Sequence, residues 1–163
     1  MTGFSLRLAE PGDAQGIADC FNGLDIEDLG DDALAPHSVE TVLRDAVGDG
    51  ALLQTEVAIS DADGAVIGVA AHNLGYHAET ARHARWLEML YVKPEWRSHG
   101  VGAALMRRLA QQALAMGCDS VAWGVRRHNN RGIAFYDRLG ADTEHADIRV
   151  LLQAGLDHLA ADD

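Results

Sequence analysis

The sequence holds only two cysteines in 163 residues, Cys20 and Cys118, and no second Cys or His stands at metal-ligand spacing beside either. A disulfide framework and a cysteine-based metal site are thereby excluded, and both side chains are expected to be buried, reduced thiols. Long apolar runs are missing too: nothing approaches the ~20 consecutive apolar residues that a membrane span requires. Cations are scarce, 13 Lys and Arg against 25 Asp and Glu, for a formal charge of -12. That balance removes the main source of affinity for a phosphate backbone, so no nucleic-acid partner is expected. A negative field instead attracts cationic small molecules and raises their encounter rate, although the same acidity also serves solubility. None of the eight histidines has metal-ligand spacing, and no metal is expected. The stretch from Met1 to Arg7 lacks a basic segment followed by an apolar run, from which a cytoplasmic location is expected.

What is present reads as one domain over residues 1–163, with no repeat or Gly/Ser-rich linker dividing it. Phe4 to Leu8 alternates like a strand, and Pro11-Gly12-Asp13 turns the chain into a helix bearing Ile17, Phe21 and Leu24. Ser38 is the expected N-cap of a second helix, with Thr41 where a capping box has Glu, and Gly48 and Gly50 end it. Residues 52–59 and 65–73 form the two strands of a predicted hairpin, and 85–92 a third strand ending at Lys93-Pro94. Val101, Leu105, Leu109 and Ala113 recur at helical spacing up to Gly117. A strand over 120–125, a helix over 130–139 closed by Gly140, and a final strand over 148–152 complete the order β-α-α-β-β-β-α-β-α-β. This predicts an α/β (α+β) domain with a mixed, mostly antiparallel central sheet flanked by helices.

The segment Arg97-Ser98-His99-Gly100-Val101-Gly102 falls between a strand and a helix start. Unpaired amides and the helix dipole make that junction an anion site, and its glycines let a phosphate approach the backbone, although an ordinary turn carries the same glycine spacing. Arg97 adds a charge-assisted donor, and Arg107 or Arg108 stands ready for a more distant phosphate. No GxxxxGK[ST] is present, and the glycine run reaches Leu105 where a dinucleotide fingerprint needs its third glycine.

The run Leu87-Glu88-Met89-Leu90-Tyr91-Val92-Lys93-Pro94-Glu95-Trp96-Arg97, then Gly100-Val101-Gly102, then Asn129 and Phe135-Tyr136 before Leu139-Gly140-Ala141, resembles the GNAT (GCN5-related) N-acetyltransferase superfamily. The pattern is most similar to its diamine (spermidine/spermine) and thialysine acetyltransferase branch. The family motif [Q/R]xxGxG/A is matched by Arg97, Gly100 and Gly102, with Ser98 in place of a frequent glycine, a change expected to cost little.

The resemblance implies acetyl-CoA as co-substrate. Backbone groups of Leu90, Tyr91 and Val92 would align its acetyl and pantetheine arm, and Arg97, Ser98, His99, Gly100, Val101, Gly102 and Ala103 would wrap its pyrophosphate. Asn129 matches the asparagine near the pantetheine, Tyr136 the acid that protonates the departing thiolate, and Glu88 the carboxylate that receives the amine's proton, directly or through water. A homodimer is implied as well, and the apolar segment 148–159 suits packing on a second copy.

An ammonium cannot attack an acyl carbon, so an amine must first lose a proton, which is the chemical reason for a base at Glu88. No Ser/His/Asp or Cys/His arrangement suggests an acyl-enzyme, so direct transfer in a ternary complex is expected. Met89 departs from the diamine pattern, which has an acidic residue there. Asp25, Glu27, Asp28, Asp31 and Asp32 are therefore the alternative carboxylates for a cationic acceptor, with Tyr76, His77 and His83 as further cleft residues. The competing readings are acetylation of a protein N-terminus or lysine, and a non-catalytic acyl-CoA-binding module.

Overall fold

The computed structural model describes residues 3–30, 37–144 and 149–161. The chain divides into two compact units, residues 1–130 and 131–163.

The first unit is built on a five-stranded sheet of order β1-β2-β3-β4-β5. Its strands are β1 (Phe4–Leu8), β2 (Gln54–Ser60), β3 (Val66–His77), β4 (Arg82–Val92) and β5 (Ser120–Trp123). Neighbours are antiparallel up to β4, and β5 joins β4 in parallel. The sheet is thus mixed and mostly antiparallel, as the pattern of apolar runs predicts. Strands β3 and β4 are longer than the expected 65–73 and 85–92, because their pairing continues out to His77 opposite Arg82.

Helices α1 (Ala14–Leu29) and α2 (Val39–Asp45) belong to one face of this sheet. Ile17, Phe21 and Val42 join Val57, Val69, Ala71 and Tyr91 in a single buried cluster. Residues opposite one another in an antiparallel ladder share a face, which is why Val57, Val69 and Tyr91 form one row. The start of α2 follows its sequence signal: the Ser38 hydroxyl accepts from Thr41 N at 3.2 Å, and Ser38 N donates to the Thr41 hydroxyl at 3.0 Å.

Helix α3 (Val101–Ala115) covers the other face with Val101, Leu105 and Leu109, all fully buried. Its first turn sits so close to β3 that a Cβ on Gly68 would lie 3.2 Å from Val101 Cγ1. Polar groups are buried on this face as well. Glu56, without any exposed surface, accepts from Arg108 Nε and from Gln112 Nε2. Arg108 is thereby committed to a core carboxylate and is not held ready for a phosphate, while Arg107 lies exposed on the same helix.

In the second unit, α4 (Asn130–Arg138) ends in a reversal at Gly140, whose φ is +79°, with Gly140 N donating to Asp137 O. The expected final strand is absent: Arg149 to Leu152 take no strand conformation, and Ile148 lies outside the described residues. A helix not expected from the sequence, α5 (Gln153–Ala161), follows instead. A strand needs a partner edge for its backbone groups, whereas a helix satisfies its own, and Leu152, Leu156 and Leu159 repeat at helical spacing.

Candidate active site

Strand β4 changes character halfway along. From Ala84 to Leu87 it has neighbours on both edges, β3 on one side and Ser120 to Trp123 of β5 on the other. Beyond Leu87 the β5 pairing stops, and Met89 to Val92 continue with β3 alone. Lys93 N donates to Ile67 O at 2.9 Å, which fixes the alternation of the ladder. Met89 and Tyr91 direct their main-chain groups at β3, and Leu90 and Val92 direct theirs at the open side. Of the three residues expected to align an acyl arm, two therefore turn main-chain groups away from β3, the Val92 carbonyl being taken by Arg97 Nε, and Tyr91 turns none.

The parting of the strands coincides with a bulge. Ala71 pairs with Met89 and His72 with Leu87, so Glu88 has no opposite residue. Bulges redirect a side chain and end pairing, and here both effects fall on the carboxylate singled out as a base. Asn73 Nδ2 donates to Glu88 Oε1 at 3.2 Å, and the Glu88 side chain is exposed.

At the end of β4 a short 3-10 turn, Pro94–Trp96, leads into the glycine segment. Gly100 caps α3 with φ +83° and no side-chain cap bond, and Ala104 N closes the first helical bond onto Gly100 O at 2.9 Å. The amides of Val101, Gly102 and Ala103 precede that bond, so no carbonyl of the helix reaches them, and the positive end of the helix dipole adds to their pull on an anion. His99 Nδ1 meets Arg97 O at 2.7 Å, and its ring lies edge-on to Trp96. Ser98 adopts φ +64°, a left-handed conformation that costs a residue with a Cβ on the order of 1 kcal/mol and costs glycine none. The replacement of the family's frequent glycine is therefore not as cheap as expected.

The Arg97 side chain lies in a cluster that the sequence did not foretell. Its Nε donates to Val92 O at 2.8 Å, its Nη2 donates to Glu27 of α1, and its guanidinium stands 5.3 Å from the centre of the Tyr91 ring. Glu27, one of the carboxylates expected near a cationic acceptor, also takes the Tyr91 hydroxyl at 3.4 Å. Asp25 meets His37 Nε2 at 3.2 Å, Asp28 is half-buried, and Asp31 and Asp32 lie outside the described residues. Tyr76 and His83 face each other near the far end of the β3–β4 ladder, and His77 contacts Asp119 at 3.1 Å. Five residues of strand separate His83 from Glu88, roughly 17 Å, so these three are not brought to the bulge.

Asn129 follows β5 in a turn, its N donating to Arg126 O at 2.9 Å. Tyr136 belongs to the second unit, on α4, edge-on to Phe135 at 5.2 Å. Burial pushes the Cys20 thiol up to about 12, so it carries no thiolate at neutral pH and offers no nucleophile. Burial, and then the neighbouring Arg85, push His72 down to about 4, so this fully buried imidazole is neutral at pH 7. Its Nδ1 accepts from Arg85 Nη1 at 3.2 Å on the paired half of β4.

Asn73 and the Arg97 cluster escaped the sequence reading because their partners stand 15 and 70 residues away. Neither contact leaves a local spacing that could have announced it.

Comparison with known proteins agrees with this geometry. The family model described as the acetyltransferase (GNAT) family matches residues 28–141. The thialysine N-epsilon-acetyltransferase of Bos taurus is 34% identical over 76 residues, 47% of this chain and 44% of that protein. The Sus scrofa protein of the same name is 33% identical over a stretch of the same length. The chain thus spans about half the length of the curated relatives it matches. Among solved structures, an integron cassette protein from the mobile metagenome of V. cholerae shares the fold with TM-score 0.81 at 20% identity, covering 97% of this chain and 98% of the other. An aminoglycoside N-acetyltransferase solved in complex with CoA does so with TM-score 0.71 at 20% identity, over 94% and 97%. With a family match extending over most of its length, from the end of α1 past Gly140, the chain belongs to the acetyltransferase (GNAT) family.

Proposed function

We propose that this protein transfers the acetyl group of acetyl-CoA to the primary amine of a small cationic acceptor, a polyamine, diamine or lysine-like molecule. The observation that carries the reading is the juxtaposition on one strand: a bulged carboxylate, then an open main-chain edge, then a helix N-terminus with unpaired amides. The residues present fit acetyl-CoA. Leu90 and Val92 offer main-chain groups to its amide-bearing arm, and the amides from Val101 to Ala103 offer donors to its pyrophosphate. Asn129 is assigned to the pantetheine, and Tyr91 supports the strand through its side chain. Both compact units act in this reading as one domain.

Glu88 takes a proton from the bound ammonium, directly or through water, leaving a neutral amine. The amine nitrogen then forms its bond to the thioester carbon as the carbon–sulfur bond breaks. Tyr136 gives its proton to the departing sulfur, the nitrogen's surplus proton returns through water to the phenolate, and Glu88 releases the proton it took to solvent. The products are an amide and CoA thiol, with one net proton released. Transfer is direct: burial keeps Cys20 protonated, and no covalent acyl-enzyme is invoked. The formal charge of -12 draws the cationic acceptor in. The thialysine acetyltransferase relatives make thialysine and lysine the first acceptors to try. Exposed Val150, Leu151, Leu152, Leu156 and Leu159 support association of two copies.

The test is CoA release from acetyl-CoA with thialysine, lysine, spermidine, putrescine and a short peptide as separate acceptors. Turnover with a small amine is the expected result. Turnover with the peptide alone would replace the small acceptor by a protein one, and acetyl-CoA binding without turnover on any acceptor would favour a non-catalytic acyl-CoA-binding module.

A further inference from the structure

Glu27 sits in the last turn of α1, where the negative end of the helix dipole disfavours a carboxylate, and Asp25 and Asp28 crowd it further. Something outside the helix must hold it there. One turn earlier, Gly23 faces the Tyr91 ring so closely that a Cβ would come within 2.7 Å of Cζ and Oη. Gly23 and Glu27 are four apart and share a helix face, so α1 meets Tyr91 first with a bare backbone and then with a carboxylate. The Tyr91 phenol, held above its usual value by burial and then by Glu27, stays protonated and donates to that carboxylate at 3.4 Å. Glu27 also pairs with Arg97, whose guanidinium stands beside the Tyr91 ring.

Three contacts thus fix one guanidinium: Val92 O on Nε, Glu27 on Nη2 and the aromatic ring of Tyr91. An arginine fork has five N–H donors in a rigid plane, and these contacts leave Nη1 available. A flexible arginine would lose side-chain freedom on meeting a phosphate, whereas this one is already ordered.

We propose that Glu27 is a positioning residue for the cofactor, holding Arg97 so that its remaining donors meet the pyrophosphate beside the α3 N-terminus. The inference rests on the acetyl-CoA reading above and adds to it a residue of α1 that touches neither reactant. It also makes the Arg97 pairing with Glu27 a support for phosphate binding, and not a competitor of it.

Calorimetric titration with CoA and with S-acetylpantetheine, which lacks the pyrophosphate, tests it. Glu27→Ala is expected to weaken CoA about tenfold and leave S-acetylpantetheine unchanged, with Glu27→Gln intermediate. In an Arg97→Ala background the Glu27 substitution is expected to add nothing, because its effect passes through the guanidinium. Unchanged or tighter CoA binding by Glu27→Ala would overturn the proposal, as would equal loss of both ligands or an effect that survives in Arg97→Ala. Failure of the unaltered protein to bind CoA would instead remove the cofactor reading, and the inference with it.

Discussion

The two halves of β4 are one strand in two environments. Between Ala84 and Leu87 it is paired on both edges, and Arg85 is buried against the imidazole of His72. Between Glu88 and Val92 one edge is open, the first side chain is exposed, and the last carbonyl is taken by an arginine from the following loop. The bulge at Glu88 is where the strand loses its β5 partner, keeps β3, and turns one side chain to solvent. A single unpaired residue separates the doubly paired segment from the singly paired one.

The largest expected effect attacks the open half. Glu88→Gln keeps an oxygen for Asn73 but cannot take a proton, so kcat with the best acceptor should fall by at least about 10²-fold while acetyl-CoA affinity holds. Initial-rate kinetics beside a binding titration check both parts, and an unchanged kcat would remove Glu88 as base.

The paired half should show itself in stability. His72 is held at about 4 when folded against an ordinary value near 6.5, so the unfolded chain binds more protons between those values. Stability attributable to this group is complete above about pH 6.5 and is lost as pH falls toward 4, by an amount on the order of 3 kcal/mol. Urea midpoints measured across that range should slope accordingly, and His72→Asn should flatten the slope. An unaltered slope in the variant would place the pH dependence elsewhere.

Smaller effects sharpen the contrast within the strand. Leu90→Pro removes an N–H that the β3 ladder does not use, so the fold should survive with acetyl-CoA binding about tenfold weaker. Met89→Pro removes one that the ladder does use and should unfold far more readily; circular dichroism during urea titration distinguishes the two. Smallest of all, Ser98→Gly should release the left-handed strain and stabilise by about 0.5 kcal/mol, with turnover unchanged. A lower midpoint for that variant would mean that the serine hydroxyl stabilises the loop.

Local signals carried much of this architecture. The Ser38 and Thr41 cap, the apolar stripe from Val101 to Ala113 and the helix start after Gly100 all act within a turn or two of chain, and each is where its spacing implied. The glycine segment between β4 and α3 was legible for the same reason. The bulge was not, because it is a relation between Ala71 and Met89 on two strands and leaves no mark on either alone. The engagement of Arg97 by Glu27 and of Arg108 by Glu56 is equally non-local, and composition could only register both arginines as free cations. At the other end of the chain, Val150-Leu151-Leu152 has strand propensity without a strand, since propensity yields when no ladder forms.

The central claim is that the open half of β4 and the first turn of α3 receive the acyl carrier. Amide hydrogen exchange with and without saturating CoA reads it residue by residue. The account predicts slowed exchange at Leu90, Val92 and Val101 to Ala103, with the amides of Ala84 to Leu87 unmoved. CoA binding that leaves those open amides unprotected would contradict it.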